Sequence, residues 1–198
     1  MLFIGIAGYK RAGKDTTAKM LIEELQKFDI IATRRAFADK LKEEVAEFLS
    51  DFCPKYSTEE YLGIMHSDGQ EKEQYRLLMQ WWGTEGRRQM FDQMYWLDQL
   101  TEYAQKIDSQ VLIIPDVRFI NEINFCKEKP GLVVFVKRPG CDPSDHASER
   151  EIENYDNWDF VVDNSEDLEY IREQVVLLAN VLYGYLTVDD DLVLEGVV

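Results

Sequence analysis

Positive charge is scarce in this chain: its 198 residues hold 22 lysines and arginines against 38 aspartates and glutamates, a formal net charge of −16. Such a molecule repels polyanions, which argues against a nucleic-acid polymer or an anionic membrane as partner. A small anionic substrate stays open, because a few converging cations and backbone N–H groups make a local positive well. Cysteine is scarce too. Cys53, Cys126 and Cys141 are far apart, form no CxxC pair and are odd in number, so free thiols in a reducing cytosol are expected. With only two histidines, His66 and His146, no ligand set has structural-zinc spacing. Apolar runs such as residues 132–136 are far too short to span a bilayer, and the N-terminus lacks a charged region followed by a long apolar segment. A cytoplasmic location is the expectation.

What is present is enough to build a core, since 45% of the residues are hydrophobic. Residues 2–7 form a continuous apolar run closed by Gly8, the pattern of a strand buried on both faces. Ala18, Leu21, Ile22 and Leu25 then recur at helical spacing, giving half of a βαβ unit. Residues 30–37 are strand-capable, and Leu41, Val45, Phe48 and Leu49 mark a second helix that should stop before Pro54. Residues 56–69 have no sustained period and read as an irregular excursion or a short helix. Good helix formers fill 71–107, broken at Gly83 and Gly86, which predicts two helices meeting there, with Trp81, Trp82, Trp96 and Tyr103 as core. Short buried strands are predicted at 111–114, 132–136 and 160–162, with helical stretches at 119–127 and 167–183. The alternation implies an α/β fold with a doubly wound parallel sheet.

The strongest chemical signal is Gly8-Tyr9-Lys10-Arg11-Ala12-Gly13-Lys14-Asp15-Thr16, between the opening strand and the first helix. A triphosphate needs closely spaced backbone donors. Glycine permits the tight turn and close approach, and the helix N-terminus adds partial positive charge. Lys14 would reach the β- and γ-phosphates. Where the usual pattern has a serine or threonine hydroxyl for magnesium, this chain has Asp15, followed by Thr16 and Thr17. Two like charges about 4 Å apart repel by roughly 4 kcal/mol at an effective dielectric near 20, so Asp15 beside phosphate calls for an intervening cation. The expectation is that Asp15 holds magnesium directly or through water, while Thr16 donates to a phosphate.

A second carboxylate, Asp116, follows Pro115 at the carboxyl end of a predicted core strand, the edge where ligands bind in open α/β sheets. It either organises magnesium or caps the next helix. Arg118 and Glu122 lie four apart, as a surface ion pair or as groups aimed into the crevice.

With these residues in place the chain resembles bacteriophage deoxynucleoside monophosphate kinases, within the wider nucleoside-monophosphate-kinase-like P-loop group. The resemblance covers most of the chain. It rests on the loop above, on Phe37-Ala38-Asp39-x-Leu41-Lys42, on Arg76 through Gln80-Trp81-Trp82-Gly83-Thr84 to Trp96, on Asp116-Val117-Arg118-Phe119-x-Asn121-Glu122, and on His146-x-Ser148-Glu149. It implies a P-loop kinase domain over residues 1–186, with a helical substrate-binding region at about 54–108 and a short lid at about 137–151. Residues 187–198 are left as an acidic tail beyond the last helix. The implied reaction moves the γ-phosphoryl of ATP, with magnesium, to the 5′-phosphate of a deoxynucleotide.

By the same resemblance Gly8, Arg11, Gly13, Lys14, Asp15, Thr16 and Thr17 bind ATP, and Lys14, Arg11, Arg138 and Arg150 carry the catalytic charge. Lys10, Lys40, Arg76, Gln80, Gly83, Thr84, Trp96, Arg118 and Glu122 bind the acceptor; Asp15 and Asp116 hold magnesium. For Arg76, Gln80, Thr84 and Trp96 the alternative is surface charge plus core aromatic. Arg87 and Arg88 are weaker candidates. A lid with Lys137, Arg138 and Arg150 would close over ATP and exclude water, with His146 shaping it. A homodimer in the cytoplasm of an infected bacterium comes from the resemblance alone. Two other functions stay open: a kinase for another small phosphorylated metabolite, and an ATP-binding switch or assembly module without a small acceptor.

Overall fold

The computed structural model describes residues 1–67, 69–141 and 151–194, with side chains as far as residue 187. It divides into two compact units, Met1–Arg35 with Asp108–Val198, and Ala36–Ile107.

In the first unit five parallel strands form one sheet, ordered β2-β3-β1-β4-β5. They are β1 (Leu2–Ala7), β2 (Ala32–Arg34), β3 (Val111–Val117), β4 (Gly131–Lys137) and β5 (Phe160–Asp163). The central strand β1 is apolar along its whole length because both its faces are covered. Ile4 and Ile6 share one buried cluster with Ala18, Leu21 and Leu25 of α1 (Lys14–Gln26) and with Val175, Leu178 and Leu182 of α8 (Leu168–Leu194). Phe3 and Gly5, on the opposite face by strand alternation, meet α7 (Ile120–Glu128): Phe3 packs edge-on against Phe125, and a Cβ on Gly5 would lie 2.9 Å from Cys126 Sγ. Helices on both faces of a parallel sheet make the doubly wound fold expected from the sequence.

The register of β1 with β3 steps from Gly5↔Ile114 to Ala7↔Val117, so β3 carries one extra residue at Pro115–Asp116. A proline, with no N–H to give to the ladder, suits such a bulge. The bulge re-aims Asp116, which lies inside β3 rather than after it, beside the end of β1. The ends of α1 and α8 are tied by charge. Arg172 Nη1 donates to Glu24 Oε1 at 2.8 Å and Nη2 to Glu23 at 3.1 Å, while Lys27 bonds the other oxygen of Glu24.

The second unit is helical: α2 (Phe37–Phe52), α3 (Thr58–His66), α4 (Gln70–Glu73), α5 (Arg76–Trp81), a π-helical stretch (Trp82–Gln89) and α6 (Tyr95–Ala104). Ser57 starts α3 with a reciprocal capping box: its hydroxyl accepts from Glu60 N–H, and Glu60 accepts from Ser57 N–H at 2.8 Å. Val45, Ala46, Leu49, Tyr61 and Met65 form the core of this unit, with Tyr75, Leu78 and Trp82 against it.

Several expectations need correction. The compact helical unit starts at Ala36, because α2 packs on α3, α5 and α6. Of the two readings of residues 56–69, the short helix is the one found, as the capped α3. The break at Gly83 and Gly86 is a π-helix rather than a simple junction. Trp81 is 50% exposed, so it is not core. The last helix runs on to Leu194, so the tail does not begin at 187. No described helix is long and apolar enough to cross a membrane.

Candidate active site

In the first unit, Gly8, Arg11 and Gly13 have φ of +147°, +63° and +103°. The glycines take these values without a Cβ clash; at Gly8 a Cβ would stand 2.6 Å from the carbonyl of Val136. The loop closes on itself through Ala12 N–H to the Tyr9 carbonyl at 3.1 Å. Lys14 reaches back over it, its ammonium donating to the carbonyls of Gly8 at 2.7 Å and Tyr9 at 2.8 Å. A primary ammonium is thereby held across a turn at a helix N-terminus, the arrangement that takes an anion. Thr17 is buried and its hydroxyl donates to the Gly13 carbonyl at 3.1 Å, fixing the first turn, whereas Thr16 is exposed. Lys10 and Arg11 are exposed on the loop.

Asp15 sits in the first turn of α1, where a carboxylate complements the helix dipole. Its side chain is 78% exposed, and Arg34, at the end of β2, bonds it at 3.0 Å. A cation therefore does stand beside this carboxylate, and the sequence reading missed it.

Asp116 is half-buried at the β3 bulge. Glu122 is only 2% exposed and accepts from the backbone N–H groups of Arg118 at 2.7 Å and Phe119 at 3.2 Å. It caps α7. The ion-pair reading of Arg118 with Glu122 gives way to this cap, which leaves the Arg118 side chain exposed. Buried Cys126, next to these carboxylates, has its thiol pushed well up by burial and then by the nearby charges of Glu122 and Asp116. It stays a neutral packing group.

At the ends of β4 and β5, Lys137 and Arg138 are exposed, and Arg138 Nη1 donates to the Arg11 carbonyl at 3.2 Å. Asn164 donates its side-chain amide to the Ala12 carbonyl at 2.7 Å. Arg150 and His146, with the rest of residues 142–150, lie outside the described residues.

In the second unit, Lys40 is half-buried on α2, and Arg76, Gln80, Gly83 and Thr84 run along α5 into the π-helix. Arg76 meets Glu73 with two N–H groups. Gly83 is buried, and a Cβ there would come within 3.3 Å of Leu41. Trp96 is buried, its indole N–H donating to the Gly83 carbonyl at 3.0 Å. Gly83 and Trp96 thus pack the π-helix in place.

A cluster that the sequence did not reveal locks the same stretch. Glu44, 8% exposed, accepts from Trp82 Nε1 at 3.0 Å, from Arg87 Nε and Nη2 at 2.8 Å each, and from the Tyr95 hydroxyl. The Arg87 guanidinium lies over the rings of Trp82 and Tyr95, 5.4 and 4.9 Å from their centroids. Burial, and next the bond to Glu44, push the Tyr95 hydroxyl up to about 12.

The parallel sheet, with the glycine turn and its lysine between β1 and α1, is a P-loop fold. Against known families, a sequence model for "Deoxynucleotide monophosphate kinase" matches residues 51–175. The chain belongs to the deoxynucleotide monophosphate kinase family, and is a nucleotide kinase. A protein of Acanthamoeba polyphaga mimivirus named "Putative deoxynucleotide monophosphate kinase" is 28% identical over 196 residues, 89% of this chain and 95% of that protein. Among solved structures, an APS kinase of Mycobacterium tuberculosis is 12% identical with a TM-score of 0.47, over 92% of this chain and 96% of its own. The shikimate kinase of Aquifex aeolicus is 19% identical with a TM-score of 0.44, over 94% and 99%.

Proposed function

We propose that this protein transfers the γ-phosphoryl group of ATP to the 5′-phosphate of a deoxynucleoside monophosphate. The observation that carries the reading is the Lys14 ammonium bridging the Gly8 and Tyr9 carbonyls at the N-terminus of α1, in a chain of this family. The acceptor phosphate is already an anionic nucleophile at neutral pH, so no general base is required. The protein's work is to align donor and acceptor and to balance charge.

In this reading Gly8, Gly13, Thr16 and the backbone N–H groups at the start of α1, that of Asp15 included, take the polyphosphate, and Thr17 keeps the first turn rigid. Lys14 exchanges two neutral carbonyls for phosphate oxygens, a stronger charge-assisted pairing. Arg11 and Arg138, joined through the Arg11 carbonyl, bring positive charge to the donor, and Arg150 is assigned to the same task by resemblance. Lys10 and Arg118 in the first unit, and Lys40, Arg76, Gln80 and Thr84 in the second, are assigned to the acceptor by resemblance; Gly83 and Trp96 hold the π-helix that carries Thr84, and Glu122 holds the Arg118 backbone. Asp15 and Asp116, two hard oxygen donors at the carboxyl edge of the sheet, suit magnesium, which would neutralise charge on the transferring group. A cytoplasmic homodimer belongs to the same reading.

The test is coupled ATP consumption with and without a panel of nucleoside and deoxynucleoside monophosphates and other phosphorylated metabolites. Turnover that requires a deoxynucleoside monophosphate supports the proposal. Turnover without any acceptor points to a switch, and turnover with another metabolite to a different kinase.

A further inference from the structure

We propose that Asn164 is a positioning residue of the phosphate-binding loop, its side-chain amide setting the Ala12–Gly13 peptide so that the Gly13 N–H faces the polyphosphate. The inference rests on the reading of residues 8–17 as the ATP phosphate site and adds to it a residue from the far end of the sheet.

Asn164 follows β5, and its own N–H donates to the Lys137 carbonyl at 2.7 Å, which extends the β4–β5 pairing by one residue and fixes the Asn164 backbone. From there its side chain reaches the loop, with Nδ2 donating to the Ala12 carbonyl at 2.7 Å. A carbonyl can only accept, so the nitrogen of the amide must be the atom that faces it. In a planar trans peptide the C=O and the following N–H point in opposite directions. Drawing the Ala12 oxygen toward β5 therefore turns the Gly13 N–H the other way. The next peptide is fixed too, since the Gly13 carbonyl accepts from Thr17 N–H at 2.9 Å and from the Thr17 hydroxyl at 3.1 Å. Its partner N–H, on Lys14, is thereby directed out of the helix N-terminus. Two consecutive donors, on Gly13 and Lys14, owe their direction to Asn164 and Thr17.

The same contact accounts for the glycine. A Cβ on Gly13 would stand 2.6 Å from Asn164 Nδ2, and φ at Gly13 is +103°, so the position excludes a side chain on two grounds. Gly13 and Asn164 fit as a pair.

The experiment is calorimetric titration of the full-length protein and its Asn164→Ala variant with magnesium ATP and, separately, with magnesium and inorganic triphosphate, alongside melting temperature and the KM for the acceptor. One part-buried hydrogen bond that orients a phosphate donor predicts about a tenfold loss of affinity. The loss should be equal for ATP and triphosphate, with the melting temperature and the acceptor KM close to wild type. Asn164→Asp keeps the size but sets an acceptor against the Ala12 carbonyl, so it should lose more for both ligands; it decides the matter if the alanine variant does not fold. Affinities unchanged for both ligands in a folded variant overturn the proposal. So does a loss confined to ATP, which would mean that Asn164 reads the nucleoside. A wild-type protein that binds neither ligand overturns the phosphate site itself, and this role with it. One that binds both yet phosphorylates no monophosphate overturns only the kinase reading, and the Asn164 comparison then supports the positioning role on its own.

Discussion

Glu44→Gln should destabilise the helical unit and weaken acceptor use together. Glu44 is nearly fully buried and is the shared acceptor for Trp82, Arg87 and Tyr95. Removing one member of a buried ion pair costs about 3–5 kcal/mol where the remaining charge is fully enclosed. Here the Arg87 side chain is 30% exposed, and water recovers part of its charge. Discounted for that solvent, the expected cost is about 2 kcal/mol, since glutamine still accepts from one donor but must turn an NH2 toward another. At about 2–4 °C per kcal/mol for a chain of this size, the melting temperature should fall by about 4–8 °C. Glu44→Leu leaves the donors of Trp82, Arg87 and Tyr95 without this acceptor and should cost about twice as much. Thermal and urea denaturation followed by tryptophan fluorescence would read the loss, with hydrogen exchange placing it in residues 36–107. In the proposed reading Thr84 of the π-helix serves the acceptor, so the acceptor KM should rise while ATP affinity holds. A Glu44→Gln protein within about 0.5 kcal/mol of wild type would refute the reasoning, since that is the ordinary scatter of surface substitutions.

Three further outcomes are expected. The carboxyl of Glu24 is held below its ordinary value of 4.5 by its bond to Lys27 and then by Arg172, against the opposing effect of burial. Its contribution is therefore present above pH 4.5 and lost as pH falls below it, so the stability gap between wild type and Glu24→Gln should be open at pH 7 and close in acid, as read by urea midpoints. The Tyr95 hydroxyl, pushed up to about 12 from 10, contributes stability that is intact below pH 10 and lost as pH rises toward 12; Tyr95→Phe should abolish that part of the alkaline fall in thermal melts. Asp15→Asn should make ATP binding less dependent on magnesium, because the carboxylate that repels phosphate and attracts the cation is gone. An unchanged magnesium titration in that variant would reject the assigned role of Asp15.

The sheet was legible because strands covered on both faces read as unbroken apolar runs; residues 2–7 announce β1 without reference to anything distant. The loop was legible for the same local reason, its glycines and lysine falling between a strand and a helix. What stayed hidden depends on residues remote in sequence. Glu44 meets Arg87 across 43 positions and Asn164 meets Ala12 across 152, and no spacing rule joins such pairs. One signal was available: Arg34 ends β2 and Asn164 follows β5 at the carboxyl edge of the sheet, where ligands gather. Trp81 was misread because an aromatic on a helix says nothing about which face it occupies when the helix is six residues long. The acidic run in residues 189–191 looked like a tail, yet the helix backbone continues through it.

The most direct measurement of the central claim is label transfer from γ-labelled ATP, with the product identified by chromatography and mass. The account predicts that the label appears in a deoxynucleoside diphosphate, depends on the monophosphate added, and vanishes in Lys14→Met. Label released only as inorganic phosphate, or full transfer by Lys14→Met, would contradict it.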